Sequence, residues 1–182
     1  MGNPLSRLFQ RFFEKRESRL VMVGLDGAGK STLLYKLKLG EVTQTIPTIG
    51  FNCETVEFKN QKSMIWDIGG QDTLRPMWKH YYQNAEGVIF VIDSSDKRRM
   101  DKVKIEISKI LANEDLNGIP ILFLANKQDL SVMTPQEIIS SLELERIKDR
   151  GWLCQGCSAL SGMGILEGFN WLFTKIESMP KK

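Results

Sequence analysis

Eight residues near the start of the chain, Gly24-Leu25-Asp26-Gly27-Ala28-Gly29-Lys30-Ser31, fit the pattern G-x-x-x-x-G-K-[ST]. They stand between an apolar run at 19–23 and a helix-like stretch at 30–39. Their glycines let the backbone curl with its N–H groups turned inward, making an anion nest at a helix N-terminus. A strand, such a loop and a helix in that order belong to an open α/β sheet.

The remaining pattern agrees with that start. Residues 51–58 and 62–67 read as two strands joined around Asn60 and Gln61. The runs at 87–92 (GVIFVI) and 120–125 (PILFLA) are continuously apolar, as strands buried on both faces of a parallel sheet must be. Ile105, Ile107, Ile110 and Leu111 belong to a helix between them, and 152–157 is again strand-like. Ile165, Phe169, Leu172, Phe173 and Ile176 recur at helical spacing and form a helix that docks on the sheet. The expected fold is three-layered, a mostly parallel sheet with helices on both faces. At 182 residues the chain is one domain with room for a full core, and 42% hydrophobic content excludes global disorder. A net charge of +3 without a dense basic stripe argues against nucleic acid as a partner. No run of about 18 apolar residues occurs, and Arg7, Gln10 and Arg11 interrupt any signal-peptide layout. Cys53, Cys154 and Cys157 are too few for a disulfide framework, which favours a reducing, cytoplasmic setting.

The chemistry follows from the loop outward. Residues Asp26, Gly27, Ala28, Gly29, Lys30, Ser31 and Thr32 are assigned to a phosphate site, with Lys30 reaching the β- and γ-phosphates and the Ser31 hydroxyl on Mg²⁺. A carboxylate inside a phosphate nest is electrostatically unwelcome, so Asp26 either points away or tunes the γ-phosphate environment. Asp67 ends an apolar strand and can hold the metal through its water shell, followed by Gly69-Gly70-Gln71. Gly70 lets its N–H approach the γ-phosphate, and Gln71 is placed to orient an attacking water. Thr48, in a Pro/Gly-flanked loop, offers a hydroxyl that arrives when the γ-phosphate is present. Asn126-Lys127-Gln128-Asp129 follows a buried strand; an Asp carboxylate there accepts from guanine N1–H and the 2-amino group, which adenine lacks. Lys127 can lay its stem over the ring, and Ser158-Ala159 can present a backbone N–H to guanine O6. This tetrapeptide disfavours an ATP-using kinase or ATPase.

Taken in this order, these motifs resemble the Ras superfamily of small GTPases. More narrowly, the loop at 24–31, Pro47-Thr48-Ile49-Gly50-Phe51-Asn52 and Trp66-Asp67-Ile68-Gly69-Gly70-Gln71 are similar to the Arf and Arf-like branch. The resemblance implies a six-stranded P-loop GTPase fold, GTP/GDP and Mg²⁺ as ligands, and exchange factors and GTPase-activating proteins as partners. It also implies effector or coat recruitment in vesicle traffic, at the Golgi or another endomembrane. Phe51, Trp66 and Tyr81 match the aromatic triad such proteins offer to effectors, and the strands at 51–67 match the pair they slide by a register step. Ser31 stands where many relatives have Thr, and Cys157-Ser158-Ala159-Leu160 replaces the more usual C-A-T. No internal arginine finger is apparent, so hydrolysis is expected to be slow without an activator.

Met1-Gly2-Asn3-Pro4-Leu5-Ser6 fits the N-myristoylation pattern at Gly2. Leu5, Leu8, Phe9, Phe12 and Phe13 share one helical face, able to lie on a membrane or to pack on the protein's own surface in the GDP state. The expected division is an amphipathic helix over 1–17 and a GTPase domain over 18–182, acting as a monomer. Cys154-Gln155-Gly156-Cys157 is a weak metal or redox signal with no second pair. His80, the single histidine, excludes a histidine triad, and Lys97-Arg98-Arg99 reads as a solvated helix start.

Overall fold

The computed structural model describes residues 17–39, 48–58, 61–130 and 133–180, with the side chains of Phe58 and Gln61 outside the description. The expected N-terminal helix, with Gly2, lies outside it. Six strands form one sheet: β1 (Glu17–Val23), β2 (Phe51–Phe58), β3 (Gln61–Ile68), β4 (Gly87–Asp93), β5 (Ile121–Asn126) and β6 (Trp152–Gly156). Their order is β2-β3-β1-β4-β5-β6, antiparallel only between β2 and β3. The four α-helices among the described residues are α1 (Lys30–Leu39), α2 (Met100–Leu111), α3 (Pro135–Leu142) and α4 (Ile165–Ser178).

The apolar runs of β4 and β5 divide by parity, because successive side chains of a strand face opposite sides. Val88, Phe90 and Ile92 join Ile121 and Phe123 in one core with Val103, Ile107 and Ile110 of α2 and Ile138 of α3. Ile89 and Val91 join Leu122 and Leu124 in the other, with Leu33 and Leu34 of α1 and Phe169, Leu172 and Phe173 of α4. Ile105 lies in the expected helix but faces solvent. Helix α3, absent from the sequence reading, is started by Thr134, whose hydroxyl accepts from the Glu137 N–H while the Glu137 carboxylate accepts from the Thr134 N–H. That capping box supports a short helix whose apolar content alone is modest.

This layering puts the C-terminal ends of β1, β3, β4 and β5 along one edge. The loops that follow β1, β3 and β5 hold the 24–31 loop, Gly69-Gly70-Gln71 and Asn126-Lys127-Gln128-Asp129, Ser158-Ala159 follows β6 at the same edge, and Thr48 comes from the loop before β2. Such an edge is where open α/β sheets bind ligands.

Candidate functional site

The loop between β1 and α1 owes its shape to backbone that only glycine adopts without strain. Gly24 has φ 148° and lies so close to β4 that a Cβ would stand 2.3 Å from the Val91 carbonyl oxygen. Gly29 has φ 94°, and a Cβ there would meet the Asn126 amide nitrogen at 2.4 Å. The loop is therefore pinned from below by β4 and from the side by the N-K-Q-D turn. Lys30 is buried, and its Nζ donates to the carbonyls of Gly24 (2.9 Å) and Leu25 (3.1 Å), drawing the loop into a ring around the ammonium. Burial lowers this ammonium from 10.5 to about 8, against the pull of Asp67 and Asp26. A site that holds a cation at this cost is complementary to an anion. The Asp26 N–H is used within the protein, donating to the Gly70 carbonyl (3.1 Å), as the Ala28 N–H does to Leu25 (3.3 Å). Thr32 follows in the first turn of α1, half-buried.

Three oxygens meet beside the ring. Ser31 Oγ donates to Asp67 Oδ2 at 2.5 Å and lies 2.9 Å from Thr48 Oγ1, which is 3.4 Å from the same carboxylate oxygen. Asp67 is fully buried, and its Oδ1 has no hydrogen-bond partner among the described residues. Desolvation raises its carboxyl above the usual range, opposed by the Ser31 hydrogen bond and the Lys30 charge. Two hydroxyls and a carboxylate are hard oxygen donors, and a half-satisfied buried carboxylate is costly without a cation. The donor set fits Mg²⁺ and does not suit a softer metal. Gly70 packs on the loop so closely that a Cβ would stand 2.3 Å from the Gly24 carbonyl oxygen. Gln71 comes next, exposed, its carbonyl accepting from the Leu74 and Arg75 N–H groups.

At the other end of the ring, Asn126 Nδ2 donates to the Ala28 carbonyl (2.8 Å), while its Oδ1 accepts from the Ala159 N–H (3.0 Å). On the same side, the Ser158 N–H donates to the Met163 carbonyl (3.0 Å), so the Ser158-Ala159 turn is tied both to Asn126 and to the loop before α4. What Ser158 contributes is its hydroxyl, which donates to Asp129 Oδ1 at 2.7 Å and orients that exposed carboxylate. Lys127 sits at φ 68°, where a non-glycine residue is strained. Its Nζ bonds Asp93 Oδ2 at 2.6 Å. Burial by itself would raise the Asp93 carboxyl, but hydrogen bonds from Lys127 and Ser95 outweigh it and hold it below its usual value. Gln128 Nε2 donates to Ser94 Oγ and to the Met133 carbonyl, both at 2.9 Å. The end of β4 thus buttresses the turn; no sequence signal marked Asp93 or Ser94 for this.

The sequence also missed two arginines. Arg99 was expected in solvent, yet it donates to the Asp26 carboxylate and carbonyl, both at 3.0 Å. Arg75 donates through Nε to the Gly70 carbonyl at 3.0 Å. Of the two alternatives for Asp26, the structure shows its carboxylate turned to these guanidinium groups. Cys154 is half-buried and Cys157 buried, both thiols are raised to about 12 by desolvation, and no group of three histidine, cysteine, aspartate or glutamate side chains able to hold a metal occurs among the described residues.

The model of the ADP-ribosylation factor (Arf) family matches residues 5–176. The chain belongs to that family. It is similar to ADP-ribosylation factors J and K of Dictyostelium discoideum, 55% and 53% identical over 98% of this chain and 95% of each relative. Among solved structures it resembles the Arl6 (BBS3) small GTPase of Trypanosoma brucei with the nucleotide analogue GppNp bound. That likeness has TM-score 0.84 at 35% identity, covering 90% of this chain and 99% of the other. As an Arf-family member the protein is a small GTPase: it binds GTP and GDP with Mg²⁺ and hydrolyses GTP. Three aromatic rings cluster on β2, β3 and the 3₁₀ turn Arg75–Tyr81, with centroids 5.3 Å (Phe51–Trp66), 5.4 Å (Phe51–Tyr81) and 5.7 Å (Trp66–Tyr81) apart. Arg19 lies over Trp66 at 4.6 Å.

Proposed function

We propose that this Arf-family GTPase is a membrane-attached switch that recruits effectors in the GTP state and serves vesicle traffic at the Golgi or another endomembrane. The observation that carries the reading is the meeting of Ser31, Thr48 and Asp67. Thr48 comes from a separate loop, so its hydroxyl joins the others only when that loop is drawn in. On this reading Ser31 and Thr48 ligate Mg²⁺ and Asp67 holds it through water, while Lys30 grips the β- and γ-phosphates within the nest of 26–32. Mg²⁺, when bound, offsets the charge that develops on the transferring phosphoryl group. Gly70 meets the γ-phosphate and Gln71 orients the attacking water. Asn126, Lys127, Asp129, Ser158 and Ala159 frame the guanine.

The output surface is the aromatic cluster. Phe51 is half exposed and Ile49 is 89% exposed beside it, apolar area of the kind that marks a docking site. Strand β3 lies between β1 and β2, so a slide of the β2–β3 hairpin breaks one register, Val21↔Trp66 and its neighbours, and keeps the other. The slide must be by an even number of residues, because an odd one would turn Trp66 to the opposite face. At the N-terminus, acylated Gly2 and the apolar face of Leu5, Leu8, Phe9, Phe12 and Phe13 supply the two contacts that stable membrane attachment needs. Exchange factors, GTPase-activating proteins and effectors are the partners of such a switch.

Denaturing freshly purified protein and identifying the released nucleotide is expected to yield GDP or GTP; absence of any guanine nucleotide, with none taken up in Mg²⁺, would overturn the reading. The Gln71→Leu protein is expected to keep GTP affinity and vesicle binding while its activator-stimulated hydrolysis falls at least about 10²-fold. Unchanged hydrolysis in that variant would remove Gln71 from its role. Intact mass of protein from its native cell reads the acyl group on Gly2.

A further inference from the structure

Arg75 is a nearly buried guanidinium, its side chain 8% exposed, and its partners come from three separate pieces of the chain. Its Nε donates to the Gly70 carbonyl (3.0 Å). Its Nη2 pairs with Asp72 in its own turn (2.5 Å) and lies 3.5 Å from Asp26 Oδ1 in the phosphate loop. Its Nη1 faces Glu106 of α2 at 3.9 Å. The Gly70 carbonyl is therefore shared: it accepts from Arg75 and from the Asp26 N–H. Asp26 Oδ1 is shared as well, between Arg75 and Arg99. Arg99 holds Asp26 at both carboxylate and carbonyl while its Nε is tied to Asp96 at 2.5 Å, so Asp26 has an anchor independent of Arg75.

We propose that Arg75 is a positioning residue that locks the Gly70–Gln71 turn onto the phosphate loop through Asp26, with Arg99 holding Asp26 in place to receive it. This rests on the reading that closure of this turn accompanies the GTP state. With the turn seated, Arg75 and Asp26 meet directly and also share the Gly70 carbonyl between them. Were the turn to lift, the two contacts that cross to the phosphate loop, Arg75 to Asp26 and the Asp26 N–H to the Gly70 carbonyl, would be lost together. A ligand shifts an equilibrium only through contacts that differ between the two states, and these contacts differ. A plain structural arginine would stabilise both states alike. Gln71 is the neighbour of Gly70, so the lock also fixes where Gln71 starts.

The test is a double-mutant cycle on full-length protein, reading affinities for GDP and for a non-hydrolysable GTP analogue. Intrinsic tryptophan fluorescence is a second readout, because the Trp78 indole N–H donates to the Gly69 carbonyl (2.9 Å) and senses the turn. Arg75→Ala is expected to weaken the GTP analogue about tenfold while GDP affinity stays within about twofold. It should also shrink the fluorescence change between the two nucleotides. In an Asp26→Asn background the same substitution is expected to cost less than about threefold, since the charge that Arg75 pairs with is already gone. Arg75→Lys keeps the charge but cannot span Gly70 and Asp26 at once, so its loss must also be GTP-selective, and it decides the matter if the alanine variant does not fold. Equal weakening of both nucleotides, or costs that simply multiply in the double variant, would overturn the lock while parental GTP binding left the wider reading standing. A parent that binds neither nucleotide would sink the wider reading instead.

Discussion

The Asp129→Asn protein is expected to bind GDP about 10²- to 10⁴-fold more weakly than the parent, and to prefer xanthosine diphosphate. The estimate follows from two hydrogen bonds to a charged acceptor, each contributing about 1.5–3 kcal/mol. Asparagine keeps one acceptor for N1–H but turns an amide donor toward the guanine 2-amino group, so two donors face each other. Xanthine carries an oxygen at that position, and the amide donor then has an acceptor. The loss for guanine and the gain for xanthine therefore share one cause, which separates this outcome from a general loosening of the site. Competition against a fluorescent nucleotide reads both. The scaffold makes the swap clean: Ser158 Oγ donates to Asp129 Oδ1 at 2.7 Å, and an asparagine side-chain oxygen can accept the same bond. Equal weakening of guanine and xanthine nucleotides would remove Asp129 from base selection.

What could be read from the sequence divides by range. The strands declared themselves because β4 and β5 are buried on both faces and leave unbroken apolar runs, and helix α1 begins at Lys30 as its loop requires. Lys30, Ser31, Asp67 and Asp129 were legible because each sits at a fixed offset from a glycine turn or a strand end. Helix α3 was missed although Thr134-Pro135-Gln136-Glu137 carries the capping-box pattern, because at eight residues it offers few apolar positions. The arginines were missed too. Arg99 stands in a basic run that looks solvated, and its partner Asp26 is 73 residues away in the chain. Arg75 carries a nearer hint, an acidic residue three positions before it, but its decisive contacts are with Gly70 and Asp26. Sequence spacing says which backbone groups arrive at a site, and only the packed structure says which of them are already engaged.

The second large effect is expected at Lys30, and it carries opposite signs for binding and for stability. In the Lys30→Met protein the phosphates lose their buried cation, and guanine nucleotide affinity is expected to fall by at least about 10³-fold, the loss of two or more charge-assisted hydrogen bonds. The nucleotide-free variant, by contrast, should melt no lower than the nucleotide-free parent. Holding Lys30 charged in its buried place moves its ammonium from 10.5 to about 8. That displacement corresponds to roughly 3 kcal/mol at about 1.4 kcal/mol per unit. Removing the charge recovers this cost and loses the two bonds to the Gly24 and Leu25 carbonyls, so the terms offset. Thermal melts with EDTA, then with Mg²⁺ and excess GDP, separate the two effects. Nucleotide at about a thousand times its dissociation constant stabilises a protein by about 4 kcal/mol, which for a chain of this size raises the parent's melting temperature by about 10 °C. The variant should show no such rise. A Lys30→Met protein that melts far below the parent without nucleotide would mean that the ammonium holds the fold together, and the assignment of Lys30 to the phosphates would lose its physical basis: a residue kept at a cost for the sake of its ligand.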